Sequence, residues 1–289
     1  MVNNIDKKSV HGLLPIRPED SNKGTFGKVL NIAGSKNLTG AAYLSSFAAL
    51  KIGAGYVTLA CPHSVVQIIA TMLPELTFLP LEETNNGAIS KNNSIKDLYQ
   101  YSVISIGCGI TTNKETKSFV FDILNGLNKT QKVIIDADGI NILANHKGEI
   151  SLKNAIITPH PKELSRLLNV PLEEIITNRE KYARITSQTY ECITVLKGHN
   201  SIVTNGEKLL YNKSGSSALA KAGTGDVLTG IIAGLLAQKM KPFEAAILGT
   251  YLHGLAGDFA QNDLTKYSVL ASDVIKYLPS AIREILNED

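Results

Sequence analysis

The 289-residue sequence predicts an α/β protein on an open sheet, with its ligand site beyond the carboxyl ends of the strands. Three observations lead there. Short apolar runs of strand character alternate with segments of helical period. The first of them read strand, loop, helix, strand, which is a βαβ unit. Run after run ends in glycine or a polar residue, at Gly34, Gly109, Asp138, His160 and Gly198. In an open α/β sheet ligands sit at those ends.

The residues to about Pro18 read as a polar lead-in, with Pro15 and Pro18 excluding a long helix. Val29 to Gly34 is a short apolar run ending at glycine, the pattern of a buried parallel strand. A polar loop leads to a helix from Ala41 to Ile52, for which Thr39 is the expected N-cap. Its small residues, Ala41, Ala42, Ser45, Ser46, Ala48 and Ala49, allow close packing. Gly53-Ala54-Gly55 stops it, and Tyr56 to Ala60 is the next strand. Residues 64 to 72 are helical in period, Asn85 to Asn93 an exposed loop, and Tyr101 to Gly107 a strand. A helix over 114 to 127 follows, then strands over Lys132 to Asp138 and Asn154 to His160. Glu173 to Tyr190 reads as one helix and Cys192 to Gly198 as a strand. Ser201 to Thr204 and Lys208 to Tyr211, joined at Asn205-Gly206, read as a hairpin. Helices to about Gln238, over 242 to 261 and over 270 to 286 close the chain. No repeat or linker divides it, so a single domain over 1 to 289 is expected.

Composition bounds the function. A length of 289 residues buries about three quarters of the unfolded surface. Hydrophobic content of 44% and charged content of 19% are those of a soluble globular protein. A net charge of +3 with scattered lysines argues against a nucleic-acid partner. No run reaches the length of a membrane span. Cys61, Cys108 and Cys192 match neither a zinc spacing nor a disulfide framework. They read as buried hydrophobes in a reducing compartment. The first nine residues lack the apolar core of a secretory signal, so a cytoplasmic protein is expected.

The chain is organised around Ala220-Lys-Ala-Gly223-Thr-Gly-Asp226-Val-Leu-Thr-Gly230, which opens into an apolar helix. Glycines let a bulky group approach the backbone, and a helix start offers unpaired amides and partial positive charge. Together they cradle a phosphoryl group. Asp226 then stands where a carboxylate can take the proton of an attacking hydroxyl. The same residues also suit a glycine-rich turn in which Asp226 caps the helix. In Thr158-Pro-His-Pro-Lys-Glu163, two prolines hold His160 outward at a strand end. That makes His160 a substrate contact and Glu163 a holder of hydrated Mg²⁺, or else the loop is rigid and Glu163 a first-turn acid. Lys197-Gly-His-Asn-Ser201 suits a phosphate and a base or ribose, or an ordinary turn. Asp136 and Asp138 suit a metal, a sugar hydroxyl or the capping of the next helix. His253, within an apolar helix, reads as a satisfied core histidine. Neither a nucleophile elbow nor a GxxxxGK[ST] loop occurs.

Taken together, Lys23-Gly-Thr-Phe-Gly-Lys28, Ala33-Gly-Ser35, Thr39-Gly-Ala41, Gly53-Ala-Gly-Tyr-Val57, Gly107-Cys-Gly109, Asp136-Ala-Asp138, Thr158 to Glu163, Leu196-Lys-Gly198 and Gly223 to Leu228 resemble the ADP-dependent (S)-NAD(P)H-hydrate dehydratases. The resemblance runs in order from about Lys23 to Asn287. Gly-Thr-Gly-Asp marks only the ribokinase-like superfamily; Thr-Pro-His-Pro-x-Glu and the Lys-Gly-Thr-Phe-Gly opening are more specific. It implies a ribokinase-like three-layer α/β/α sandwich with a mostly parallel central sheet. It also implies dehydration of the S epimer of hydrated NADH or NADPH with ADP (ATP in some relatives) as co-substrate, releasing AMP and phosphate.

By position, Ala41, Gly109, His160 and Asp226 would contact the hydrate, and Lys197, Gly198, His199, Asn200, Ser201 and Gly225 the adenine nucleotide. Asp226 would be the base, the amides of Gly223, Thr224 and Gly225 the anion hole, and Glu163 an Mg²⁺ organiser. A homotetramer with surfaces on the helix from Ala41 and on the C-terminal helices is implied, as is a separate epimerase, since no epimerase domain is expected here. The family commonly has Gly-Pro-Gly where Gly107-Cys108-Gly109 stands, a small residue at Lys162, and Asp-Ala-Asp-Ala-Leu-Asn where Asp136 to Asn141 runs. None of these changes removes a group the chemistry needs. The sequence leaves open a small-alcohol kinase of the same superfamily and a nucleotide-binding module without catalysis.

Overall fold

Apolar, β-branched runs that must be buried on both faces set the architecture, because only helices on each side can cover such a sheet. The computed structural model describes residues 4–144, 146, 150–153 and 155–286. Asn154, where the sequence starts a strand, and Asn287, where the resemblance ends, lie outside them.

The chain runs β1 (Asn4–Ile5), α1 (Lys7–Val10), a 3₁₀ turn (Lys23–Phe26), β2 (Lys28–Ile32), α2 (Thr39–Lys51), β3 (Tyr56–Pro62), α3 (His63–Met72) and β4 (Thr77–Leu81). Then come β5 (Val103–Ile106), α4 (Lys114–Asn125), β6 (Lys132–Ile135), α5 (Asp138–Leu143), β7 (Ile156–Ile157), α6 (Pro161–Leu168), α7 (Leu172–Thr177) and α8 (Arg179–Tyr190). Strands β8 (Ile193–Leu196), β9 (Ser201–Thr204) and β10 (Leu209–Asn212) precede α9 (Thr224–Ala237), α10 (Pro242–Ser268) and α11 (Ala271–Leu286).

The strands form one sheet in the order β1-β10-β9-β8-β7-β6-β5-β2-β3-β4. Among the described strands only β9 runs against its neighbours, β8 and β10. Successive residues of a strand point to opposite faces. Val103 and Ile134 accordingly join one core with α2, α9, α10 and α11, while Ile104 and Ile135 join the other with α4, α6 and α8. The expected α/β sandwich with a mostly parallel sheet is therefore present. Order reverses where β2 lies between β5 and β3, so the loops after β2 and β5 open a crevice at the carboxyl edge.

Several readings change. The lead-in is not purely polar: β1 pairs with β10, and Ile5 and Val10 are buried. Strand β4, not foreseen, pairs with β3. The 85–93 loop is exposed only at its ends, because Gly87 to Ser90 are buried and Ile89 bridges Glu83. Thr39 is the first helical residue of α2, and Leu38 is its N-cap without a side-chain bond. The helix expected over 173 to 190 breaks at Asn178 into α7 and α8. Thr265 (φ 72°, ψ 157°) interrupts α10 beyond the end expected near 261.

Small residues on α2 do permit close packing, but within the chain. A β-carbon at Gly230 of α9 would lie 2.1 Å from the Ser45 carbonyl oxygen of α2. Ala42, Ser45, Ser46, Ala48 and Ala49 are all buried there, so that face of α2 offers no subunit surface. Gly230→Ala is expected to force α2 and α9 apart and cost about 1–3 kcal/mol, measured as a lower urea midpoint.

Candidate active site

Three strand ends converge under the start of α9. After β6 the chain turns sharply at Ala137, whose φ of 48° and ψ of −117° suit glycine better than alanine. The turn directs Asp136 inward and Asp138 toward the β5 loop, where its Oδ2 accepts from the Thr111 amide at 2.9 Å. After β8, Lys197 reaches back so that its Nζ lies 2.6 Å from Asp136 Oδ1 and 3.8 Å from Glu163 Oε2. Thr229 of α9 donates to the other Asp136 oxygen at 2.8 Å. Burial alone would lower the Lys197 ammonium's pKa, but the Asp136 and Glu163 carboxylates hold it above its usual value. Lys197 is thus fixed and charged beside Gly225, where a β-carbon would lie 3.4 Å from its Nζ.

The glycine-rich stretch behaves as a helix start. Gly223 (φ 93°) is the N-cap of α9. Thr224 differs from expectation: its amide donates to the Lys221 carbonyl at 3.4 Å, and its hydroxyl to the carbonyls of Leu219 and Lys221. The amides of Gly223, Gly225 and Asp226 donate to no protein group among the described residues. They are the open donors here. Asp226 does not cap α9; it lies in the first turn, partly buried. Burial pushes its carboxyl up to about 6, with Asp136 adding to the rise. A hydrogen bond from the Cys108 thiol and the Lys197 charge oppose it.

Gly109 and Ala41 face one another across the crevice between β2 and β5. A β-carbon at Gly109 (φ 68°) would meet Ala41 Cβ at 2.8 Å, so the β5 loop reaches the start of α2 this closely only because residue 109 is glycine. His160 is the N-cap of α6, with 44% of its side chain exposed. Its Nδ1 accepts from the amides of Lys162 and Glu163, at 3.1 and 3.2 Å. Its Nε2 lies 3.2 Å from Glu163 Oε1, while Glu163 Oε2 accepts from the His160 amide at 2.7 Å. The imidazole pKa is lowered by burial and then by Lys197. A neutral ring therefore accepts through Nδ1 and donates through Nε2 to Glu163. Glu163, expected to hold hydrated Mg²⁺, has both oxygens committed to His160 and is buried.

A cavity of about 510 Å³ opens beside this cluster. Lys197 to Ser201 and Gly225, the residues expected to hold the nucleotide, line it together with Thr224, whereas Ala41, Gly109, His160 and Asp226 lie outside its lining. Sequence reading missed much of the wall, including Asn212, Ser214, Ser216, Thr250 and His253. His253 is a satisfied buried histidine, with Nε2 2.9 Å from the Thr224 carbonyl oxygen. Burial lowers its pKa to about 4, so it is neutral. Asn212 ends β10 and the serines follow it, and none of them carries a spacing signal.

The fold is ribokinase-like, and a charged cradle at its carboxyl edge, open helix amides and a neighbouring carboxylate are the groups that would suit a phosphoryl group. Comparison makes this specific: the family model described as NAD(P)H-hydrate dehydratase matches residues 29–280, and the chain belongs to that family. A bifunctional NAD(P)H-hydrate repair enzyme of Moorella thermoacetica is 36% identical over 281 residues, covering 95% of this chain and 53% of the relative. The chain thus spans about half the length of such curated relatives. The ADP-dependent (S)-NAD(P)H-hydrate dehydratase of Bacillus subtilis is 30% identical, covering 94% of this chain and 95% of the relative. The crystal structure of an ADP/ATP-dependent NAD(P)H-hydrate dehydratase from Bacillus subtilis, co-crystallised with ATP/Mg²⁺, superposes with a TM-score of 0.88 at 29% identity. It covers 98% of this chain and 99% of that one.

Removing one member of a buried ion pair leaves the other uncompensated. Lys197→Met is expected to lower stability by about 3–5 kcal/mol. Adding Asp136→Asn should restore most of the loss, read by chemical denaturation of the single and double variants.

Proposed function

We propose that this chain dehydrates the S epimer of hydrated NADH or NADPH, using ADP and releasing AMP and phosphate. Family membership supports the reaction, and the observation that carries it is Asp226 in the first turn of α9, beside open amides and Lys197. Hydroxide is a poor leaving group, so the ring hydroxyl is first made into a phosphate ester. The hydroxyl oxygen attacks the terminal phosphorus of ADP, Asp226 takes its proton, and the bond to AMP breaks. Loss of phosphate and of a ring proton then restores the double bond of the reduced nicotinamide. A carboxyl titrating at about 6 is ionised at neutral pH yet basic enough to accept that proton.

The remaining residues bind and orient. Lys197 and the amides of Gly223, Gly225 and Asp226 meet the charge on the transferring phosphoryl group. Gly198 to Ser201 hold the rest of the nucleotide in the cavity. Ala41, Gly109 and the exposed part of His160 flank the hydrate. Glu163 fixes the tautomer of His160 and adds negative charge near Lys197.

Mg²⁺ belongs to this reading as the nucleotide's counter-ion. The protein side chains do not themselves fit a cage for it. Glu163 and Asp136 have their oxygens engaged, and no group of three or more His, Cys, Asp or Glu that could hold a metal ion occurs among the described residues. The proposal extends to one domain, a homotetramer, a cytoplasmic setting and an epimerase supplying the S epimer. No helix among the described residues is long and apolar enough to cross a membrane. A kinase of a small alcohol would share Gly223 to Asp226, and an assay separates the two. Nicotinamide absorbance returns when hydrate, ADP and Mg²⁺ are mixed with the protein, and does not if the chain is such a kinase.

Two outcomes test Asp226. Asp226→Asn is expected to abolish turnover while ADP still binds in a calorimetric titration. Because the folded-state pKa is raised from 3.8 to about 6, the ionised carboxylate opposes folding above about pH 6, and this penalty fades as pH falls toward 4. The variant should therefore melt no lower than wild type at pH 7.5, with the two converging near pH 4. Wild-type turnover should fall about tenfold per unit below pH 6 as the base becomes protonated, measured as kcat/KM for the hydrate.

A further inference from the structure

The turn from Lys197 to Ser201 is held by one side chain, that of Arg179, which lies outside the lining of the 510 Å³ cavity. Arg179 opens α8, just after the break at Asn178. Its Nη1 donates to the His199 carbonyl at 2.5 Å, and its Nη2 lies 3.3 Å from the Leu196 and 3.4 Å from the Lys197 carbonyl oxygens. One guanidinium therefore gathers three carbonyls of the four-residue stretch from Leu196 to His199. Gly198 lies directly beneath it: at φ 141°, a β-carbon there would lie 3.0 Å from Arg179 Nη2.

The other side of the turn carries the opposite polarity. The amides of Gly198, His199 and Asn200 donate to no protein group among the described residues, and all three residues line the 510 Å³ cavity. Asn200 is left-handed, with φ 53°. Within one peptide the carbonyl of a residue and the amide of the next point in roughly opposite directions, so drawing the Lys197 and His199 carbonyls onto the half-buried Arg179 turns the amides of Gly198 and Asn200 the other way. An array of free amides is an anion-binding surface. The planar five-donor fork is suited to this task in a way a lysine is not.

We propose that Arg179 is the positioning residue of the nucleotide loop: by gathering the carbonyls of Lys197 and His199 it presents the amides of Gly198 and Asn200 to the anionic part of ADP, while its bond to the Leu196 carbonyl anchors the start of the turn. The inference rests on the cavity being the nucleotide site. Arg179 touches neither substrate in this arrangement, so its effect is confined to nucleotide binding. It also fixes the backbone from which Lys197 departs, while the Lys197 ammonium keeps its own tie to Asp136.

The test is calorimetric ADP binding with steady-state kinetics on wild type, Arg179→Lys and Arg179→Ala. The expected result is a Kd and KM for ADP raised about tenfold or more in Arg179→Ala, equivalent to about 1.4 kcal/mol. KM for the hydrate should stay within about twofold, and Arg179→Lys should recover only part of the loss. Unchanged ADP binding in Arg179→Ala, or an equal loss for both substrates, overturns the proposal while wild-type ADP binding keeps the site reading intact. A wild type that does not bind ADP overturns both. Should Arg179→Ala not fold, Arg179→Lys carries the test: full ADP affinity there refutes the need for the fork.

Discussion

The buried ion pair between Lys197 and Asp136 is the constraint on which the site depends. Its carboxylate follows β6, its ammonium follows β8, and a hydroxyl from α9 completes the shell around Asp136. Two charges withdrawn from water are tolerated only with close geometry and further hydrogen bonds, and both conditions hold. The pair fixes the spacing between the sheet edge and the start of α9. It also keeps one positive charge where an anionic group would arrive. Around it, Glu163 and Asp226 stand as carboxylates whose proton affinity burial raises.

Much of the fold was legible because buried parallel strands announce themselves as apolar runs ending in glycine or polar residues. Val29 to Gly34 and Cys192 to Gly198 did so, and each proved a strand at the carboxyl edge. Strand β4 was not legible: its residues Thr77, Phe78, Leu79, Pro80 and Leu81 alternate weakly and include a proline, which an edge strand accepts. Nor was the break at Asn178, since Glu173 to Tyr190 contains neither glycine nor proline. Burial of Gly87 to Ser90 came from tertiary contact beneath polar neighbours.

The site was legible as residue types and less so as bonds. The glycine-rich run with its aspartate and the lysine-glycine turn were found and lie side by side. What could not be read was their pairing across sequence: Lys197 with Asp136 over 61 residues, or Cys108 with Asp226. The Thr158 to Glu163 stretch shows the same limit. Its prolines fixed the backbone as expected, yet His160 and Glu163 spend their polar atoms on one another and on the cap of α6. The small residues of α2 suited packing as read, but their partner was α9 of the same chain.

The reversed direction of β9 has a consequence for how this protein can vary. Because Leu196 pairs with Ile202 and Thr194 with Thr204, the stretch between β8 and β9 is a tight reversal clamped at both ends by ladder bonds. One inserted or deleted residue must either be absorbed in that bend or slip the ladder, turning Ile202 and Val203 to the wrong sides of the sheet. A length change between β8 and β9 therefore costs more here than in a crossover loop, where no ladder register depends on it.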